Sequence, residues 1–411
     1  MIRSTLRIML RVSATKDLSS RVSRFLPGCR SCVATQLSLE DDHSETIGVD
    51  PLLEDDSLFC LIGAMVAAAA AGATAGNSSL GLRDLKVAID AEATRAAEEC
   101  LEKFPGQLVV SAGEGAGEGM PGAWVGQEFG RFSRSLVPNG VTGIFDYIDG
   151  TTLTAKRLPG ALSLGALGDR FHAVPDLQAY VAMLPSEHSA EFDIMTSMPE
   201  DHALEYLDLV SKLMQKPRKQ MTVLTHSTDS GSYHDDLISV LRSAHVGRII
   251  VPNPVMIEAT YFLGLAGLGA DAFDSMLSVC GLPEIAFVCA LIDVLNLPYR
   301  LAIRLASLDA KTRGDWAHSL APFFEFSEQE LTLFEACGLS VDQQYSSVDL
   351  VAPGSCKFAV AIAVTENKRL ALEGVRQVEG SKRLNGFMLR RGDAWRLDVM
   401  MKESDVAERG T

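Results

Sequence analysis

Glu114 and Glu118 lie in the segment LVVSAGEGAGEG, and Asp146 and Asp149 lie in IFDYIDGTT. All four follow apolar runs that read as strands, so they should collect at strand ends. Two like charges about 4 Å apart repel by about 4 kcal/mol at an effective dielectric of about 20. A hard divalent cation, Mg²⁺ or Mn²⁺, removes that repulsion and prefers oxygen ligands of this kind. The chemistry such a site serves is phosphate chemistry. The glycine-rich loop 113–119 has no Gly-Lys-Ser/Thr and is acidic, so it suits a metal better than a bare phosphate. Each motif also has a plainer reading. A Gly/Glu loop is often a simple turn, and Asp149-Gly150 is equally a hairpin signal. If Gly150 and Thr151 instead open a helix, its free backbone N–H groups can receive a phosphate.

These acids need elements to position them. Leu85–Phe104 reads as an amphipathic helix on which Lys86 and Asp90, four apart, project from one face. Gln107–Ala112 and Val141–Phe145 read as the strands before the acidic motifs. Ser278–Glu284 is another strand-to-loop junction, with Glu284 just before the apolar helix Ile285–Leu297. A carboxylate is favoured there electrostatically, and capping alone would explain it. From about Tyr180 helices and strands alternate: helix 201–213, strand 221–225, helix 234–243, strand 248–251. That order predicts a three-layer α/β second domain. Lys357–Thr365 and Leu384–Arg390 read as closing strands. The expected organisation is a leader over 1–38, an α+β domain over 55–190 with most of the metal site, an α/β domain over 191–335, closing strands over 336–403 and a tail over 404–411.

Length and composition bound the rest. A chain of 411 residues with 47% apolar and 7% aromatic residues fits a soluble α/β protein and argues against global disorder. The net charge of −16 argues against broad nucleic-acid binding. Leu58–Gly76 carries no charge over 19 residues, nearly enough to span a bilayer. It is mostly Ala and Gly, however, and reads as a buried first helix, so no membrane partner is expected. Residues 1–36 hold seven Arg or Lys against Asp17 alone, leaving 30 basic and 52 acidic residues elsewhere. Arg3, Arg7 and Arg11 recur every fourth residue opposite Ile2, Leu6 and Leu10. That predicts a basic amphipathic helix, the composition of a plastid or mitochondrial transit peptide, or else a disordered basic tail. Cys29 and Cys32 form the one CxxC among eight cysteines, too little for a zinc site; the other six read as core thiols.

Read together, the segments resemble the class II fructose-1,6-bisphosphatases, the bacterial and algal family that includes dual fructose-1,6-/sedoheptulose-1,7-bisphosphatases. The likeness covers about residues 55–403. It rests on four motifs in order: the helix with Lys86 and Asp90, LVVSAGEG, DYIDGTTLTA and CGLPE. It implies the layered α/β/α/β/α sandwich of the lithium-sensitive phosphatase superfamily. It also implies hydrolysis of a sugar bisphosphate by water activated at Mg²⁺ or Mn²⁺, in the setting of gluconeogenesis or the Calvin cycle. Asp90, Glu114, Asp146, Asp149 and Glu284 would be the metal ligands. Lys86 matches a catalytic lysine, and Glu118 an acid that helps activate the attacking water. Asp149, Gly150 and Thr151 match the segment that holds the phosphate, with Gly281 and Tyr180 as further substrate contacts. The partner is then a small sugar phosphate, and dimers or tetramers are that family's habit.

The departures from the family fall on the substrate side. A basic Lys-Pro-Arg-His-like turn is replaced by Asp229-Ser230-Gly231-Ser232-Tyr233-His234, which removes bidentate phosphate contacts. A sugar-binding Asp-Gly-Asp becomes Asn253-Pro254-Val255. The family tyrosine falls near Gln178, with Tyr180 as a shifted substitute. Ile285 replaces a glycine and should crowd the approach. Lys156 and Arg157, one turn past DGT, either anchor an anionic substrate anew or form a solvated face. Two functions remain in view: a metal-dependent phosphatase, or a non-catalytic relative acting as a binding or regulatory protein.

Overall fold

The computed structural model describes residues 8–14, 56–115, 121–130, 140–185, 199–226, 235–270, 272–305, 327–340 and 343–402. The first half contains β1 (Ile8–Ala14), α1 (Asp56–Ala75), α2 (Leu82–Leu101), β2 (Leu108–Gly113), β3 (Glu128–Phe129), β4 (Val141–Asp149), α3 (Thr151–Ala155), β5 (Leu162–Gly168), β6 (Gln178–Pro185) and α4 (Pro199–Leu213). There follow β7 (Thr222–Leu224), α5 (Asp235–Ser243), β8 (Arg248–Ile250), α6 (Glu258–Leu263), β9 (Ser275–Gly281), α7 (Leu282–Val294), β10 (Tyr299–Leu305) and α8 (Glu328–Ala336). The chain closes with β11 (Tyr345–Ser346), α9 (Ser347–Leu350), β12 (Cys356–Ala363), β13 (Arg376–Val378), β14 (Ser381–Arg390) and β15 (Asp393–Lys402).

Apolar patterning places these elements in five layers. One sheet has the order β1-β15-β14-β12-β5-β4-β2-β3, with β13 paired to β14; the other runs β11-β10-β6-β9-β7-β8. Helices α1 and α2 pack on each other and on the outer face of the first sheet. Helix α7 touches β2, β4, β5 and β12 on one side and β9 and β10 on the other. Eleven of its thirteen residues are buried, as a helix caught between two sheets requires, because it has no solvent face to make polar. Helices α4 and α5 pack together beyond the second sheet. This is the α/β/α/β/α sandwich that the family resemblance implied.

Helix α1 is long and apolar enough to cross a membrane by composition. Leu58, Leu61, Ile62, Met65 and Val66 are instead buried against the sheet and α2, so it is a core helix.

Strand β6 joins the second sheet, while β12, β14 and β15 complete the first. The leader helix is corrected, because residues 8–14 form β1, antiparallel to β15 along its whole length. The segment IMLRVSA carries period-two alternation at Ile8, Leu10 and Val12 as well as the arginine repeat. An open strand edge supplies the backbone partners that settle the matter. Cys29 and Cys32 lie outside the described residues, and the six described cysteines are free thiols.

Candidate active site

Strand β4 is longer than its apolar run predicts and carries both aspartates. Asp146 lies opposite Leu164 and Asp149 opposite Leu162 on β5, so three steps on one strand match two on the other. Residues three apart in a regular strand face opposite sides of the sheet. The bulge inserts one residue and brings both carboxyls to the same side. The chain then turns at Gly150, whose φ of 96° is left-handed and strains any residue with a β-carbon. It enters α3 directly, so the two-residue hairpin reading of Asp149-Gly150 is set aside.

Helix α2 brings Lys86 and Asp90 to this corner. The Thr151 hydroxyl donates to Asp90 Oδ1 at 2.6 Å and also to the Ile148 carbonyl at 3.2 Å. Glu114 arrives at the end of β2, which pairs in parallel with β4. Glu284 sits in the first turn of α7, not ahead of the helix as expected, because β9 ends at Gly281 and α7 begins at Leu282. A β-carbon on Gly281 would collide with the Glu284 carboxylate. The colliding atoms are the tip of a flexible side chain, so Gly281→Ala should leave thermal stability nearly unchanged. It should weaken Mn²⁺ binding about tenfold or more by displacing Glu284. A Mn²⁺ titration beside a melting curve checks this, and unchanged affinity would show that Gly281 does not place the carboxylate.

These side chains line a cleft of about 430 Å³. Asp90, Glu114, Asp149, Glu258 and Glu284 supply its charge against Lys86, and Asp146 is buried beneath. Burial, then Asp149, Glu284 and Asp90, hold the Asp146 carboxyl well above its ordinary range. Burial, then Glu258, Glu284 and Glu114, do the same to Asp149. Asp90 is raised by burial against the opposing pull of Thr151 and Lys86. Glu114 is pushed up by surrounding protein, then by Asp146 and Glu284, and it donates a hydrogen bond to Glu284. Glu114 also keeps an exposed face, which weakens the burial contribution. Solvent also screens its acidic neighbours, so the rise is smaller than burial alone would give, and its direction is set by Asp146 and Glu284.

The donor set fits a hard cation. Every ligand is a carboxylate, and Asp146 Oδ2 and Glu284 Oε2 are buried without a hydrogen-bond partner, a condition costing about 1–3 kcal/mol per neutral group and more for a charged one. Among the described residues no three acidic, His or Cys side chains converge on one ligating point. The oxygens are gathered, not closed.

A model of the bacterial fructose-1,6-bisphosphatases, glpX-encoded, matches residues 60–397. The chain belongs to this family. No curated protein matches it. Fructose-bisphosphatases of this kind are phosphoric monoester hydrolases that act on small sugar phosphates, and the acid cleft lies within the matched span.

Several substrate-side residues are placed otherwise than the fructose-bisphosphatase resemblance implied. Tyr180 is 2% exposed, lies under the Arg304 guanidinium at 4.4 Å, and does not line the cleft; Gln178 does. Gln178 and Tyr180 share a strand face, but only the earlier residue reaches the strand end where the cleft opens. Ile285 points into the core and does not crowd the approach. Lys156 and Arg157 are exposed and are not among the residues lining this cleft. Glu118 and residues 229–234 lie outside the described residues.

Two cleft residues escaped the sequence reading. Glu258 opens α6, is 7% exposed, and is pushed up to about 8 by burial and then by Glu284. The Cys280 thiol hydrogen-bonds it. Its signal was available: a single acid amid the apolar run Val255–Leu263. His226, just past β7, is lowered to about 4 by burial and faces the cleft as a neutral imidazole at neutral pH.

Proposed function

We propose that the chain hydrolyses a phosphate ester of a sugar bisphosphate, with Mg²⁺ or Mn²⁺ held in the acid cleft. Fructose 1,6-bisphosphate, sedoheptulose 1,7-bisphosphate and related phosphate monoesters are the candidate substrates. The observation that supports this reading is that one cleft beside the Gly150-Thr151 corner is lined by five carboxylates, with Asp146 buried beneath and Lys86 beside them. Asp90, Glu114, Asp146, Asp149 and Glu284 are the residues that would hold cations. Bound there, a divalent ion neutralises phosphate oxygens and lowers the pKa of water.

The chain's own groups do the remaining work. Thr151 commits its hydroxyl proton to Asp90 and Ile148. Its oxygen is therefore left to accept a hydrogen bond from the attacking water, which orients that water. Lys86 stabilises charge that develops on the phosphate, and Glu118 is the acid proposed to help remove the water's proton. Lys86 and the intact acid cluster favour an enzyme over a non-catalytic relative. The basic segment 1–38 fits import into a plastid or mitochondrion; cleavage after it would remove β1 and leave β15 as the sheet edge.

The test is phosphate release by purified protein with Mg²⁺ or Mn²⁺ across a panel of sugar phosphates. At least one bisphosphate should be cleaved, with activity lost in Asp146→Asn. Absence of release from every compound, with Asp146→Asn indistinguishable from the natural chain, would reject the catalytic reading.

A further inference from the structure

Of the five carboxylates that line the acid cleft, Glu258 is the one outside the four sequence motifs. It is 7% exposed at the start of α6, and α6 packs on α7, which carries Glu284. Its carboxylate accepts from its own backbone N–H and from the Cys280 thiol. A carboxylate has about four acceptor positions, so these contacts fix its direction and leave capacity for a further partner. Cys280, 4% exposed, is the last residue but one of β9 and lines the same cleft. The strand-to-helix junction from Cys280 to Glu284 therefore supplies one acid and the thiol that holds another.

The charges around Glu258 are of its own sign. Glu284 is the neighbouring charge that acts on it, and Glu258 is the largest neighbouring charge acting on Asp149. A buried carboxylate among acids is costly unless a cation joins it. Two oxygens of the same group share that need. Asp146 Oδ2, in a side chain 7% exposed, and Glu284 Oε2 are buried without a hydrogen-bond partner.

We propose that Glu258 is a further cation ligand of the acid cleft, acting beside Asp149 and Glu284, and that the Cys280 thiol positions it. This rests on reading the acid cleft as the metal-dependent hydrolytic site. A further carboxylate raises the charge of the ligand set, which tightens the hold on a hard cation. Cys280 acts through Glu258 as a hydrogen-bond donor that aims a ligand.

Calorimetric titration of Mn²⁺ into the metal-free full chain tests it, beside melting curves in EDTA and in Mn²⁺. Glu258→Gln should bind Mn²⁺ about tenfold or more weakly. In EDTA at pH 8 it should melt no lower than the natural chain, while Mn²⁺ should raise its melting temperature less. Natural Mn²⁺ affinity in Glu258→Gln overturns the proposal. Glu258→Asp keeps the charge but draws the oxygens back by one methylene, so it should lose affinity as well. Natural affinity in that variant would mean a charge acting through space, and it overturns ligation. Cys280→Ala should weaken Mn²⁺ binding about tenfold, and Cys280→Ser should restore most of it; natural affinity in Cys280→Ala overturns the positioning role. If Mn²⁺ binds through Glu258 but no ester is cleaved, the hydrolytic reading fails while the ligand stands. If an ester is cleaved while Glu258→Gln binds Mn²⁺ unchanged, the ligand fails while the hydrolytic reading stands.

Discussion

Asp149→Asn should lower kcat/KM for a sugar bisphosphate by about 10³-fold while the protein still folds. Asp149 is the last residue of β4, 6% exposed, turned to the face of Asp146 by the bulge against Leu162 and Leu164. Asparagine keeps its shape and one acceptor oxygen, so β4 and the turn at Gly150 are undisturbed. What it removes is the charge that would attract a divalent cation to the phosphate-receiving corner. Steady-state kinetics at saturating Mn²⁺, alongside a circular dichroism spectrum and a melting curve, separates lost chemistry from lost structure. Activity within tenfold of the natural chain would remove Asp149 from the machinery.

Metal-free protein should be more stable at pH 5 than at pH 8, by on the order of a few kcal/mol, the reverse of ordinary acid lability. The sign follows from Glu258, which outweighs the smaller, opposite effect of His226, lowered from 6.5 to about 4. The folded pKa of Glu258, about 8, lies above its ordinary value of 4.5. Between those values the folded state holds a proton that the unfolded state has released. Its contribution is therefore fully present below about 4.5 and is lost as pH rises through about 8. Asp146 and Asp149 are shifted in the same direction by burial and by one another's charge, so they add to the slope. Saturating Mn²⁺ should flatten or invert it, because a bound cation favours the ionised acids. Asp149→Asn should raise the melting temperature of metal-free protein at pH 8, since asparagine escapes the burial and neighbouring charge that oppose ionisation of Asp149. Melting curves across pH in EDTA and in Mn²⁺ check all three; a metal-free protein that loses stability steadily as pH falls from 8 to 5 would contradict the shifts.

Much of the scaffold was legible because it rests on local periodicity. The apolar run in α7, the short apolar runs of β7 and β12, and the four-residue spacing of Lys86 and Asp90 each declare an element without reference to the rest of the chain. The acids at strand ends were legible for a related reason. A carboxylate directly after a buried run has few ordinary structural uses, and a group of them points to a cation. The leader shows the limit of this method, since Arg3, Arg7 and Arg11 fit a helical repeat while the adjoining IMLRVSA fits a strand equally well. Only the free edge of β15, nearly four hundred residues later, decides between them.

The sequence alone marked which acids follow apolar strand runs and that helices and strands alternate in an α/β order, because periodicity and strand-end position are local properties. The tertiary structure decided direction and company. Asp146 and Asp149 share a face through a bulge that exists only in the pairing of β4 with β5. Glu258 joins the acids because α6 packs on α7, which carries Glu284. Lys156 and Arg157, nearest to the DGT segment in sequence, stay outside the acid cleft. Side-chain direction depends on strand register and helix packing, and both are set by contacts between residues that no local pattern joins.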